Sequence, residues 1–225
     1  MRRVPAMQVS VYKDYLAVRF IRCLTPIPNS PDNAGGAGFT LGQALRKCES
    51  EVVERAFEGS ELRPSGIRPL GIAAHPIAEQ ARKRATQEAI ETLCLRQVQD
   101  EQKLNCRVVF KLPGFAIGIA RTSHGYFSMI VGVLAGQRIA AHSTHPSFMG
   151  TLLKVWEEYR SIRFFRPSGE RLKHYTKANF RFSATELESL PFKFQPNYVY
   201  RPQLSGLKIA SAERSGKHIV YLFNE

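Results

Sequence analysis

Between Leu41 and Gly59 the apolar residues Leu41, Leu45, Cys48, Val52 and Ala56 recur every three or four positions, the spacing of one helical face. Thr40-Leu-Gly-Gln43 marks the start of this helix, because the threonine hydroxyl can accept from an early N–H while the glutamine reaches back. A second helix is predicted from Pro76, whose fixed φ suits a first helical position, to about Gln99. Its alanines at 78, 81, 85 and 89 form a face of small residues that another backbone can approach closely. A third helix is predicted from His145-Pro146 to about Ile162. Elsewhere the period shortens to two. The segment up to Ile27 predicts one or two strands, and Arg107–Lys111, Phe115–Ala120, Tyr126–Leu134, Leu207–Ala212 and His218–Phe223 predict five more, divided by turn residues such as Pro113-Gly114, His124-Gly125 and Ser215-Gly216. Pro26–Gly38 is predicted to be a loop, Gly59–Leu70 a turn-rich connection, and the chain after the third helix a basic, irregular stretch.

A weak internal repeat runs through this pattern. Gly71-Ile-Ala-Ala-His75 and Arg138-Ile-Ala-Ala-His142 each lead, through a His-Pro pair, into a helix. Glu88 lies twelve residues after Pro76, and Glu158 twelve after Pro146. The pattern suggests a duplicated strand–helix unit in an α+β fold, with sheets packed on helices. At 225 residues the chain is expected to form a single domain.

Composition narrows the class. Hydrophobic content of 44% and charged content of 23% are those of a globular protein. No run approaches the roughly 18–20 apolar residues of a membrane helix, and the basic N-terminus lacks the apolar core of a signal peptide. A cytoplasmic protein without membrane partners is expected. Cys23, Cys48, Cys94 and Cys106 form no C-x-x-C, and Cys48 and Cys94 fall on apolar helix positions, where a free thiol acts as a small hydrophobe. The net charge of +13 permits binding to nucleic acid, acidic peptide or polyphosphate. Its basic residues are spread along the chain, so the charge carries little weight in choosing between these partners, and nucleic acid is not the expected one.

Candidate chemistry centres on four glutamates. Glu51 and Glu54 are three apart, hence on one helical face about 5–6 Å apart at Cβ, and Glu88 and Glu91 repeat the spacing on the next helix. Like charges so placed repel unless neutralised, and magnesium neutralises them well: it takes hard oxygen ligands and completes its octahedron with water and phosphate oxygens. The plainer alternative is a solvated face, with Arg55 and Lys47 pairing with Glu51 at i,i+4. His142-Ser-Thr-His145 has the look of a metal pair, but His75 and His145 precede proline at helix starts, where capping or packing is the expected use. No P-loop, G-x-S-x-G or G-x-G-x-x-G is present.

The order of these motifs resembles the YcaO family. The resemblance rests on GGAGFTLGQALRKCESEVVER from Gly35, PLGIAAHP from Pro69 and ARKRATQEAIE from Ala81. It continues more weakly through GYFSMIVGVLAGQ, LLKVWEEYRSIRFFRPSGERL and GLKIASAERSGKHIVYLF. It implies a YcaO-like core over 35–225, preceded by N-terminal strands and a loop over 1–34. It further implies that Glu51, Glu54, Glu88 and Glu91 are magnesium ligands, that Arg55 lies near the phosphates of ATP, and that Glu158 helps hold the nucleoside. Lys47, Arg84, Thr92 and Ala37 stand where the family often has serine, glutamine, arginine and lysine. The chain stops at Glu225, about where the family's proline-rich C-terminal segment should begin.

The activity so implied is that of an ATP- and magnesium-dependent subunit that phosphorylates a backbone amide of a ribosomally made peptide, giving an azoline, thioamide or amidine, in the manner of a cyclodehydratase. A separate leader-binding or activating protein is expected to deliver the precursor peptide, within a homo- or hetero-oligomer. Two alternatives stand beside it: a catalytically degenerate nucleotide-binding or scaffold subunit of the same fold, and a basic nucleic-acid-binding domain.

Overall fold

The computed structural model describes residues 7–13, 19–27, 33–58, 69–99, 107–112, 115–134, 137–164 and 199–224. The described elements are β1 (Gln8–Lys13), β2 (Arg19–Pro26), β3 (Asn33–Gly38), α1 (Leu41–Glu58), β4 (Gly71–His75), α2 (Ala78–Gln99), β5 (Arg107–Leu112), β6 (Phe115–Thr122), β7 (Gly125–Leu134), β8 (Gln137–His145), α3 (Phe148–Phe164), β9 (Lys208–Arg214) and β10 (Lys217–Phe223). Three antiparallel sheets result, ordered β1-β2-β3, β4-β10-β9 and β5-β6-β7-β8. Helices and antiparallel sheets together make the α+β fold expected from the sequence. The chain divides into two compact units, one of residues 1–89 and 206–225, the other of residues 90–205.

In the first unit Val53 and Phe57 of α1, Ile72 and Ala74 of β4, and Ile219, Tyr221 and Phe223 of β10 form the core. Phe57 meets Tyr221 edge to face at 5.9 Å. Both helices of this unit are approached closely by glycine strands. A Cβ at Gly36 would lie 2.1 Å from the Ala44 carbonyl and 2.2 Å from the Cys48 nitrogen, and one at Gly71 would lie 2.1 Å from the Ala85 carbonyl. The buried Ala81, Ala85 and Ala89 therefore do form a small face for another backbone, while Ala78 is exposed. The capping box at Thr40 is complete: Gln43 N–H donates to Thr40 Oγ1 at 3.2 Å, and Gln43 Oε1 accepts from Thr40 N–H at 3.3 Å. Cys23 and Cys48 are buried, and burial pushes both thiols up.

In the second unit β7 is buried on both faces. Phe127, Met129 and Val131 pack with Ile90 and Cys94 of α2, while Ile130 packs with Ala141, Val155 and Tyr159 beneath α3. That is the period of two expected of a central strand. Ser128 Oγ lies 2.8 Å from Thr151 Oγ1, which donates to the Ser143 carbonyl at 3.2 Å, so the buried hydroxyls tie the start of α3 to β7 and β8.

Asn33–Gly38 differs from expectation. It falls in the predicted loop yet forms β3, because β2 pairs with it from Pro26↔Asn33 to Ile21↔Gly38 and α1 lies against its glycines. The helices predicted from Pro76 and His145 begin at Ala78 and Phe148, as each histidine acts from outside the helix. The basic stretch after α3, Tyr15 and Ala17 lie outside the described residues.

The strand–helix repeat is present in the structure in the register of His75 with His145 and of Glu88 with Glu158, which puts Arg138–His142 three residues out of step with Gly71–His75, and it has a third copy. In β3–α1, β4–α2 and β8–α3 two residues separate strand from helix. The first helical bonds correspond: Ala44 N–H to Thr40 O at 3.1 Å, Ala81 N–H to Ile77 O at 3.0 Å, and Thr151 N–H to Ser147 O at 3.0 Å. His75 Nδ1 accepts from Ile77 N–H at 3.0 Å and His145 Nδ1 from Ser147 N–H at 3.1 Å, the capping use expected of them. In this register Glu51, Glu88 and Glu158 are equivalent, and so are Glu54, Glu91 and Ser161.

Candidate functional site

The repeat places glutamates beside outer strands. β4 is an outer strand, paired with β10. Alternate N–H groups of a strand point to one edge. Here Glu54 Oε1, from α1, accepts from Ala74 N–H at 2.7 Å, and Glu88 Oε2, from α2, accepts from Ile72 N–H at 3.0 Å. Two carboxylates thus stand along a strand in place of a neighbouring one. In the second unit β8 is likewise outermost, and Glu91 Oε2 accepts from Thr144 N–H at 3.1 Å. Ala74 directly precedes His75 and Thr144 directly precedes His145, so Glu54 and Glu91 perform the same step in successive copies.

Glu51 is used differently. Arg55 Nε donates to its Oε1 at 2.8 Å, and Arg55 Nη1 reaches Glu58 Oε2 at 3.0 Å, with the arginine side chain 55% exposed. The i,i+4 pair considered as the plainer alternative therefore forms. Glu158 lies on the exposed side of α3 and acts electrostatically on His142.

The electrostatics separate the two units. Burial, reinforced by the nearby charge of Glu51, pushes the Glu54 carboxyl up to about 7, although the Ala74 N–H, Arg55 and Arg84 favour its ionised form. A carboxylate so destabilised gains from a cation. His75 is held below its ordinary range by burial and then by Arg84 and Lys217. Lys217 opens β10, one residue before the His218↔His75 pair, with its Nζ 3.4 Å from Ser50 Oγ and 3.7 Å from Glu49. Arg84 and Lys217 thus add positive charge around the end of β4, of the kind that favours phosphate. In the second unit His142 Nδ1 lies 2.7 Å from Glu91 Oε1. Burial opposes the His142 charge, but the Glu91 hydrogen bond and the charges of Glu91 and Glu158 outweigh it and raise its pKa.

Among the described residues no three His, Cys, Asp or Glu side chains converge as a ready metal cage. Glu54 and Glu88 instead offer hard carboxylate oxygens held in place by backbone donors. That suits magnesium, which is commonly held by one or two carboxylates with water and substrate phosphates filling the octahedron.

The fold has a known counterpart. A structure of YcaO from Methanopyrus kandleri bound with AMPPCP and Mg2+ superposes with a TM-score of 0.60, covering 98% of this chain and 86% of that one at 12% identity. The chain has the YcaO fold. No family model and no curated protein matches the sequence, so the likeness is carried by architecture at an identity too low to align side chains. Sequence spacing singled out the glutamates and His142 but not Lys217. Lys217 needs the β10–β4 register to be seen. His142 carried a signal, its three-residue spacing from His145, which suggested a histidine metal pair. In the structure His145 turns to its cap, and His142 turns to Glu91.

No described helix is long and apolar enough to cross a membrane.

Proposed function

We propose that this chain is an ATP- and magnesium-binding subunit of the YcaO type that activates a backbone amide of a ribosomally synthesised peptide. The observation that carries this is the pair Glu54 and Glu88 on adjacent N–H groups of one β4 edge, with the Glu54 carboxyl pushed up to about 7. Glu54 and Glu88 would hold the ion, each through an oxygen not engaged by the strand. Arg84, Lys217 and Arg55, which is paired with Glu51, would supply positive charge for phosphate oxygens, which lowers the cost of transferring a phosphoryl group. Bound ATP supplies that group to the amide oxygen; attack by a nucleophile at the amide carbon and loss of phosphate then complete the modification. A partner protein delivers the precursor peptide.

A second reading rests on a separate observation. Glu51 is paired with Arg55 and Glu91 with His142, leaving fewer carboxylates for metal than the family pattern implies. A subunit that binds nucleotide without turnover, inside a modification complex, accommodates this.

Thermal unfolding with and without magnesium–ATP tests the shared core. Stabilisation by magnesium–ATP that is absent in Glu54→Gln supports nucleotide binding, and the absence of any response in the wild type overturns it. ATP hydrolysis stimulated by precursor peptide and partner distinguishes the enzyme from the non-catalytic subunit.

A further inference from the structure

The two copies of the strand–helix repeat that receive a glutamate on an outer strand, residues 71–75 and 141–145, share the capping histidine, and one of their four differences bears on the glutamate. Three residues before the capping histidine, the first copy has Ile72 and the second has His142. Ile72 is buried in its core cluster, so the strand offers Glu54 its backbone but no polar side chain. His142 instead turns its ring to Glu91, with Nδ1 2.7 Å from Oε1, while Oε2 accepts from Thr144 N–H at 3.1 Å. Nδ1 carries a hydrogen in this contact, since a carboxylate can only accept. The pair is half-buried, the side chains being 24% and 22% exposed, so the contact is shielded from competing water. Phe127 stacks on the imidazole at 6.4 Å between centroids and holds its plane.

We propose that His142 occupies at Glu91 the place a magnesium ion would take, so that the second copy of the repeat is closed to metal and the ion binds only at the first, on Glu54 and Glu88. This rests on the proposed reading of that first site. It departs from the family pattern, in which Glu91 would be a ligand. Both Glu91 oxygens already have a donor, and a metal could enter only by displacing an imidazole held in place by stacking and a charged partner.

The test counts Mn2+ bound in the presence of saturating AMPPCP, by electron paramagnetic resonance, for the wild type, His142→Ile and His142→Ile/Glu91→Gln. The proposal expects one fewer Mn2+ site in the wild type than in His142→Ile, with the gain lost again in the double variant. An equal count in wild type and His142→Ile overturns it. No Mn2+ in any form, with or without AMPPCP, sinks the underlying functional reading instead. A second measurement needs no substitution. The 15N resonance of His142 Nδ1 is expected to keep its hydrogen-bonded position on adding Mg2+ and AMPPCP, and loss of that signature means the metal has taken Glu91.

Discussion

Glu54→Gln separates the structural use of this carboxylate from its charge. The glutamine amide oxygen can still accept from Ala74 N–H, so the strand edge stays satisfied. What disappears is a negative charge destabilised by burial and by Glu51. In the unfolded chain Glu54 loses its proton near 4.5, and in the folded chain near 7. A raised carboxyl holds its proton more tightly when folded, so its contribution to stability is greatest below pH 4.5 and is lost as pH rises through about 7. At 1.36 kcal/mol for each pH step, the loss approaches about 3 kcal/mol by pH 8. Glu54→Gln therefore should be more stable than wild type at pH 8 by up to about 3 kcal/mol, or about 6–12 °C in Tm for a chain of this size. At pH 5 the two should be nearly equal. Urea unfolding of both proteins at pH 5, 6, 7 and 8, without added metal, measures the difference. A difference that does not grow with pH refutes the assignment of a raised carboxyl at Glu54.

Two further expectations concern the frame around the site. Gly36→Ala should cost about 3 kcal/mol or more, the upper range for overpacking, because the new Cβ would meet the backbone of Ala44 and Cys48 at 2.1 and 2.2 Å; Gly42→Ala, on the exposed side of the same helix, should instead raise the urea midpoint. Gln43→Ala should cost about 0.5–1 kcal/mol by thermal unfolding, as Phe39 and Thr40 N–H lose the acceptor at 3.1 and 3.3 Å.

The helices were legible because their signals are local. The Thr40–Gln43 box and the small face of α2 each need only a few residues of one element, and both form as the sequence implies. β3 was not legible. A run of glycines and alanines has no side-chain alternation to read, and its strand conformation is imposed by β2 beside it and α1 against it. The glutamates lie between these cases. Their spacing was visible, but it grouped them by helix, whereas the fold groups them by strand. Glu54 and Glu88, from different helices, share β4; Glu91 goes to β8; Glu51 stays with Arg55. Which strand receives a helical side chain depends on sheet order, and no window along the chain contains that.

The structure also supplies the strongest case against a metal site, and the terms in which to weigh it. Each of Glu54, Glu88 and Glu91 satisfies an outer-strand N–H, and a neutral strand cap would account for that arrangement without any ligand. A cap, however, requires only an acceptor. Glutamine has the same reach, accepts through its amide oxygen, and carries no charge to desolvate. At Glu91 the carboxylate is explained by His142, which lies against it. At Glu54 no side chain among the described residues donates to the carboxylate, and burial with the charge of Glu51 outweighs Arg55 and Arg84, so the group sits near 7 where a glutamate would ordinarily sit near 4.5. Capping alone gives no reason to keep a negative charge at that position. A cation bound when the protein works does give one, and it is the difference between Glu54 and Glu91, rather than the number of glutamates, that favours a metal at the first copy of the repeat.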